Sequence, residues 1–136
     1  MRSVSVACGE GLCSVEAMAV VCGRDLTVCF GGGQAPHIGA VALGSPRPSL
    51  ADSSETSAST SVLCVLGHKE DRLAQDAATR LAASLGCQVV VTVGLHVDDA
   101  SSDDIASLKV NYATTLDEIE RCLKTLLCSG ALAPSR

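Results

Sequence analysis

Hydrophobic and polar positions along the first third of the chain predict a series of β-strands. Residues 12–22 and 25–30 are apolar runs separated by a short glycine-bearing turn, a pattern that predicts a β-hairpin. The stretch "SVSVAC" at 3–8 predicts one more strand. After "GGGQAP" comes "HIGAVALG" at 37–44, where apolar residues occupy both faces. This strand is therefore expected to be covered on both sides.

The middle of the chain predicts a long loop followed by a β-α-β unit. Residues 45–60 are rich in Ser, Thr, Pro and acidic residues, which is typical of a mobile loop without regular structure. A buried strand at 60–67 follows, and then a helix over 69–85 whose apolar residues recur every four positions. Gly86 ends the helix, and a Val-rich strand at 87–97 completes the unit.

The end of the chain predicts two helices. A short one follows "DDASSDD", and a longer one opens at Thr115 and Glu118 in capping-box spacing and ends at Gly130. Residues 131–136 are expected to be frayed. The order of elements predicts one α+β domain over 1–136, with a mixed, mostly antiparallel sheet, a β-α-β unit and helices packed on the sheet.

Composition narrows the class of protein and of partner. The net charge of -5 leaves no basic stripe for nucleic acid, which is not expected as a partner. Glycines and Glu10 interrupt the apolar run near the N-terminus, and no stretch reaches membrane-spanning length, so a cytoplasmic protein without a membrane partner is expected. The eight cysteines form no Cys-x-x-Cys pair, and we expect free thiols that serve as small buried hydrophobic residues.

The three histidines all lie at ends of predicted strands. His37 opens one strand, His68 follows another and His96 closes a third. Because the two strands of a β-α-β unit are parallel, His68 and His96 are expected at the same edge of the sheet. If the strand that begins at His37 runs antiparallel to them, all three imidazoles face one crevice. Asp98 is then placed to orient an imidazole through its second nitrogen.

A glycine triplet at 31–33 and the start of the 69–85 helix are expected at this same edge. Consecutive glycines allow backbone amides to approach a phosphate, and Lys69 adds a positive charge. These features predict a phosphate-bearing ligand, although no Walker or dinucleotide motif is present. The alternative interpretation is a wide turn with surface histidines, in which Glu70 and Asp71 only complement the helix dipole.

Three segments together resemble a known family. They are "PHIGAVALG" at 36–44, "TSVLCVLGHKEDRLA" at 60–74 and "GLHVDDAS" at 94–101. In these segments the chain is similar to the LpdD-like prenylated-flavin chaperones, the family of the small D subunit that accompanies UbiD-type decarboxylases such as gallate decarboxylase. The resemblance implies an α+β fold similar to proteasome assembly chaperones, which are usually dimeric.

The same resemblance implies a function. It predicts a non-catalytic protein that binds prenylated FMN and helps deliver it to an apo UbiD-type decarboxylase, most simply as a homodimer. Positions that match the motifs and are expected to contact the cofactor are Gly32, Gly33, His37, Ile38, Gly39, His68, Lys69 and His96. Flavin rings are commonly flanked by aromatic side chains, yet this chain offers only Phe30 and Tyr112.

Two other functions stay open from the sequence. The first is a metal-dependent hydrolase or lyase in which His37, His68 and His96 are three neutral ligands and water occupies an open position. The second is an assembly protein without a small ligand, which predicts that replacing the histidines leaves the function intact.

Overall fold

The computed structural model describes residues 1–128, which form a six-stranded sheet and two helices that pack on the same face of it. The strands are β1 (Ser3–Cys8), β2 (Val15–Cys22), β3 (Asp25–Gly33), β4 (Ala40–Pro48), β5 (Thr56–Cys64) and β6 (Val89–His96). The helices are α1 (Asp71–Leu85) and α2 (Ser102–Leu126), and a 3-10 turn occupies Gly11–Cys13. The predicted helix end at Gly130 and the segment 131–136 lie outside the described residues.

The sheet topology confirms the predicted α+β class. The strand order is β1-β2-β3-β6-β4-β5, and every pairing is antiparallel except that of β3 with β6. Both β5 and β6 are antiparallel to β4, so they are parallel to each other with β4 between them. The predicted β-α-β unit is therefore present, and the start of β4 lies at the same edge of the sheet as the ends of β5 and β6.

The glycine triplet at 31–33 is not the loop that the sequence suggested. It forms the last part of β3, where Gly31, Gly32 and Gly33 pair with residues 94–96 of β6. A Cβ atom on Gly32 would lie 2.8 Å from the carbonyl oxygen of Ser14. The glycines therefore serve close backbone packing, and the loop begins only at Gln34.

The segment 45–60 is also not an unstructured loop. β4 and β5 pair along their whole length, from Ala40 opposite Cys64 to Pro48 opposite Thr56. β4 pairs with β6 only over 40–44, so its two prolines lie where one side of the strand has no neighbouring strand in the described chain. Ser, Thr and Pro therefore mark an edge hairpin, and the turn itself is confined to residues 49–55.

The predicted pair of C-terminal helices is one continuous helix. Ser101 and Asp104 form the capping box that begins α2, with the Ser101 hydroxyl accepting a hydrogen bond from the Asp104 amide at 3.1 Å. Thr115, predicted as a helix start, is buried inside the helix and donates to the carbonyl oxygen of Asn111 at 2.7 Å. A hydroxyl bonded to its own helix backbone does not interrupt the helix.

The core lies between the sheet and the two helices. Alternate residues of β2, β3, β6 and β4 point into it, and α1 contributes mostly alanines. A Cβ atom on Gly44 would lie 2.3 Å from the carbonyl oxygen of Ala78, so β4 and α1 approach closely. The Phe30 and Tyr112 rings pack together in this core with centroids 5.0 Å apart.

The eight cysteines are free, as predicted, but none of them is buried. Cys29, for example, lies between the inward-facing residues Val28 and Phe30 and is therefore exposed on the opposite face of the sheet. Strand alternation places valine and alanine in the core and several cysteines outside it. The prediction that the cysteines fill the core is wrong.

A charged cluster joins the two helices. The Glu120 carboxylate is buried and accepts hydrogen bonds from Arg80 on α1 at 2.6 Å, from Ser84 at 2.6 Å and from Lys124 at 2.6 Å. Arg80 also forms an ion pair with Asp117 at 2.7 Å. Burial of Glu120 on its own would raise its pKa, but the bonds from Lys124, Ser84 and Arg80 outweigh this effect and hold the pKa below its usual range.

Candidate functional site

The three histidines meet at one edge of the sheet, as the sequence predicted. His37 Nε2 lies 3.0 Å from His68 Nδ1, and the two ring centroids are 4.6 Å apart. The His96 ring stands edge-on to the His37 ring at a centroid distance of 6.1 Å. His37 lies just before β4 and not in it, because the strand begins at Ala40. The antiparallel direction of β4 is what brings His37 to the other two.

Glu70 completes the cluster and was missed as a site residue. Its carboxylate is nearly buried, with Oε1 3.4 Å from His37 Nε2 and Oε2 3.6 Å from His68 Nδ1. The Lys69 backbone amide donates to Oε2 at 2.9 Å. The sequence suggested a role in the helix dipole, because α1 was expected to begin at residue 69. The helix begins at Asp71, and Glu70 precedes it with its side chain against the imidazoles.

Two glycines provide the space for this cluster. A Cβ atom on Gly39 would lie 2.7 Å from the Glu70 carboxyl carbon. A Cβ atom on Gly94 in β6 would lie 1.9 Å from the His37 carbonyl oxygen. Gly39 was predicted as a cofactor contact, and the structure places it beneath Glu70. The sequence pattern "HIGA" therefore encodes a close approach of the segment before β4 to both β6 and α1.

His96 is held by a separate set of contacts. Its Nε2 lies 2.9 Å from Asp98 Oδ1, which confirms the predicted pairing of these two residues. The Gln34 side chain accepts a hydrogen bond from the Asp98 amide at 2.7 Å. His96 consequently faces the cluster but is not among the residues whose donor atoms converge, which are His37, His68 and Glu70. The predicted set of three histidine ligands is therefore wrong for His96, and Glu70 is the third residue of the converging group.

A cavity of about 450 Å³ lies beside the cluster, between α1, the end of β6 and the start of α2. Its polar lining includes His68, Glu70 and His96, together with the two lysines Lys69 and Lys109. Its apolar lining comprises Leu73, Leu95, Val97, Ala100, Ile105 and Leu108. A volume of this size is in the range of small-molecule and cofactor sites.

The two lysines give this cavity a positive rim. Neither Lys69 nor Lys109 forms an ion pair within residues 1–128. Lys109 lies in the first part of α2, where the helix borders the cavity. The neighbouring Asn111 and Tyr112 are used in packing, where they donate hydrogen bonds to the carbonyl oxygens of Cys13 and Leu73.

Other predicted cofactor contacts lie away from this cavity. Gly32 is buried in β3, and the Gly33 amide donates to the carbonyl oxygen of Ser14 at 3.1 Å. Ile38 is exposed and lines a second depression of about 400 Å³ that also includes Met18 and Cys29. His37 borders this second depression as well, so the histidine cluster lies between the two cavities.

The structure offers no free aromatic ring to a flavin within residues 1–128. Phe30 and Tyr112 are both in the core, with 0% and 5% of their surface exposed. Nor does a half-buried thiol provide an obvious nucleophile, since burial, with a further contribution from Asp25, raises the pKa of Cys87 to about 11. For contact with a flat ring, the cavity therefore offers aliphatic side chains and imidazoles.

Comparisons with known proteins bear first on the fold of the chain. No curated protein matches its sequence. A chain from the crystal structure of a chaperone complex for yeast 20S proteasome assembly is similar in structure, with a TM-score of 0.54 and 18% sequence identity. The match covers 91% of this chain and 95% of that chain. At this identity the likeness confirms the predicted fold and nothing further.

A family assignment follows from the sequence itself. The family described as the prenylated flavin chaperone LpdD-like domain matches residues 9–124. This range includes β2 to β6, α1, nearly all of α2 and all three histidines. The match confirms the resemblance drawn from the three motif segments, and the chain therefore belongs to the family of LpdD-like prenylated flavin chaperones.

Proposed function

We propose that this protein is a non-catalytic chaperone that binds prenylated FMN and delivers it to an apo UbiD-type decarboxylase. The observation that carries the proposal is the cavity beside the histidine cluster, in a chain whose family is that of prenylated flavin chaperones. When bound, the cofactor supplies chemistry that the acceptor enzyme uses, and the role of this chain is to hold and release it.

The polar side of the cavity suits the phosphate end of such a ligand. Lys69 and Lys109 are two cations without an ion-pair partner in the described chain, and a phosphate accepts charge-assisted hydrogen bonds from ammonium groups. His68 and His96 add ring nitrogens on the same side. We therefore assign the phosphate to these four residues and not to the glycine triplet, because the Gly33 amide already donates a hydrogen bond to Ser14.

The apolar side suits the ring system. Leu73, Leu95 and Leu108 line the same cavity, and burying flat apolar surface against aliphatic side chains stabilises a complex without aromatic stacking. A surface of this kind holds the ring less rigidly than two flanking aromatic rings would. That property is consistent with a carrier, which must give up its ligand to another protein.

The alternative function, a metal-dependent hydrolase or lyase with three histidine ligands, is not favoured. The family match points to a chaperone, and His96 is paired with Asp98 and stands apart from the converging donor atoms. An assembly protein without a ligand would leave the unpaired lysines and the cavity without a role.

The proposal is tested by titrating the purified protein with reduced prenylated FMN, with plain FMN as the comparison. We expect saturable binding of one cofactor per chain that prefers the prenylated form, followed by transfer that activates an apo UbiD-type decarboxylase. Absence of saturable binding at any cofactor concentration short of precipitation would overturn the proposal.

Replacing both Lys69 and Lys109 by alanine is expected to weaken binding of prenylated FMN. Loss of two charge-assisted contacts to a phosphate corresponds to roughly a 10- to 100-fold higher Kd. The wild-type Kd is also expected to rise with salt more steeply than that of the double variant. Fluorescence titration at two salt concentrations measures both effects. Arg72→Ala is the matched control, because Arg72 is an exposed cation in α1 that does not line the cavity.

The uncovered face of the sheet supports the homodimer that the family resemblance implies. One row of side chains crosses all six strands without a charge: Ser5, Met18, Cys29, Thr92, Val41 and Leu63. The next row is also uncharged: Ser3, Val20, Thr27, Val90, Leu43 and Ser61. With strands about 4.8 Å apart, the two rows form an uncharged band roughly 25 Å long, and the rows on either side of it carry Glu16 and Asp25.

Met18→Glu is expected to convert this dimer into a monomer. The Met18 side chain on β2 is 55% exposed on this face, so the dimer would bury one glutamate from each protomer against an uncharged surface with no cation to pair with it. Sedimentation velocity should report one species of half the wild-type mass. Leu50→Glu is the control, since Leu50 lies in the turn at 49–55 and away from the face. A wild-type protein that sediments as a monomer would contradict the dimer.

A further inference from the structure

We infer that His37, His68 and Glu70 form a binding site for one divalent transition-metal cation, with zinc and cobalt(II) as suitable ions. This site differs from the proposed flavin site in its ligand, and it shares His68 and Glu70 with the lining of the flavin cavity. It does not require the proposed function. An ion bound there would lie beside the cavity, because His68 and Glu70 belong to both the cluster and the cavity lining.

The distances between the donor atoms match those around a common ion. His37 Nε2 and His68 Nδ1 are 3.0 Å apart, and the Glu70 oxygens lie 3.4 Å and 3.6 Å from them. Ligand atoms bound at about 2.0–2.2 Å, with angles between about 90° and 120° at the metal, are about 2.8–3.8 Å apart. The three side chains therefore converge without needing to move far.

The hydrogen bonding of His37 prepares its Nε2 for a metal. His37 Nδ1 lies 3.0 Å from the carbonyl oxygen of Ala35, and a carbonyl can only accept, so Nδ1 carries the proton. In the neutral ring Nε2 then has a free lone pair. Ligating histidines usually donate their other nitrogen to a backbone carbonyl in this way, which fixes both the tautomer and the ring orientation.

The tautomer of His37 that donates to Ala35 directs a lone pair toward both His68 and Glu70. His68 Nδ1–H donates to His37 Nε2, and the Glu70 carboxylate then faces the lone pair of His37 at 3.4 Å. A nearly buried carboxylate beside a lone pair is unfavourable, and a metal cation bound between them removes this repulsion. When an ion is bound, His68 carries its proton on Nε2 instead of Nδ1. His68 Nδ1, His37 Nε2 and the Glu70 carboxylate then all direct lone pairs to the ion.

Two histidines and one carboxylate leave at least one coordination position open. His68 and Glu70 also line the cavity, so an ion on this cluster borders it. Gly39 and Gly94 are both required for the arrangement, because a side chain at either position would collide with Glu70 or with the His37 backbone.

The experiment is a titration of chelator-treated protein with Co²⁺, in the absence of flavin, followed by absorption spectroscopy. We expect one Co²⁺ per chain with visible d–d bands, and competition by Zn²⁺. Saturating Zn²⁺ is expected to raise Tm by about 5–10 °C. Glu70→Gln should abolish the bands and the shift, whereas Glu55→Gln, which removes a charge in the exposed turn at 49–55, should change neither.

Three outcomes would overturn the inference. They are the absence of bands in the wild-type protein, unchanged bands in Glu70→Gln, and a strong sulfur-to-cobalt charge-transfer band, which would place the ion on free cysteines such as Cys64. A parallel titration with prenylated FMN in the presence of chelator keeps the two proposals apart. If the protein binds flavin but no metal, the proposed function stands and only the metal site is rejected.

Discussion

Gly94→Ala is expected to weaken ligand binding at the histidine cluster and to destabilise the protein. The new Cβ would lie 1.9 Å from the His37 carbonyl oxygen, which is backbone and cannot rotate away. The segment before β4 must therefore move off β6 and take His37 with it. We expect at least a tenfold loss of affinity for Co²⁺ and for prenylated FMN, and a fall of about 1–3 kcal/mol in the free energy of unfolding.

Gly31→Ala is the matched control for this prediction. Gly31 in β3 pairs directly with Gly94, so both substitutions add a methyl group to the same face of neighbouring strands. At residue 31 the Cβ would meet only the Pro36 side chain, at 3.1 Å, and a shift of a few tenths of an ångström relieves this contact. Isothermal titration and urea denaturation of both variants measure the difference. Equal affinities in the two variants would contradict the idea that Gly94 positions His37.

Glu120→Ala is expected to have the larger effect on stability. It removes the acceptor of hydrogen bonds from Arg80, Ser84 and Lys124, and it leaves Arg80 with only Asp117. Removing one partner of a buried charged network costs about 2–4 kcal/mol, which corresponds to a fall in Tm of roughly 10 °C. Glu118→Ala, on the exposed side of the same helix, removes an ion pair with Arg121 and should cost less than about 1 kcal/mol.

The same network predicts how stability depends on pH. Because the pKa of Glu120 is lowered in the folded protein, its ionised form contributes stability that is fully present above the ordinary carboxyl pKa. That contribution is lost as the pH falls from the ordinary carboxyl pKa through the lowered pKa of Glu120. Urea denaturation between neutral pH and acidic pH should show a steeper loss for the wild-type protein than for Glu120→Gln. Parallel curves would mean that Glu120 does not control acid stability.

Much of the fold could be predicted from local pattern. The β2-β3 hairpin, α1 with its end at Gly86 and the strand β6 all follow from alternation or four-residue spacing. The errors at 31–33 and 45–60 share one cause. Gly, Pro and Ser are common in turns, but here they lie in strands because long-range partners in β6 and β5 stabilise the extended backbone.

The site could be predicted only in outline. Parallel strands and a helix between them placed His68 and His96 at one edge, and the direction of β4 added His37. Glu70 could not be identified, because its role depends on a helix that begins two residues later than expected and on the space above Gly39. Lys109 lies in the first part of α2, which the sequence predicted as a separate short helix, whereas the buried Thr115 lies inside one continuous helix.

The position of β6 also determines when the site exists during folding. β2-β3 and β4-β5 are hairpins between strands close in sequence, whereas β6 follows both hairpins in the chain and joins them at the centre of the sheet. Insertion of a central strand with distant partners is the slow kind of step in folding. His96 and Leu95 line the cavity only when β6 is paired in the sheet, so the capacity to bind a ligand there is itself a marker of a completely folded chain.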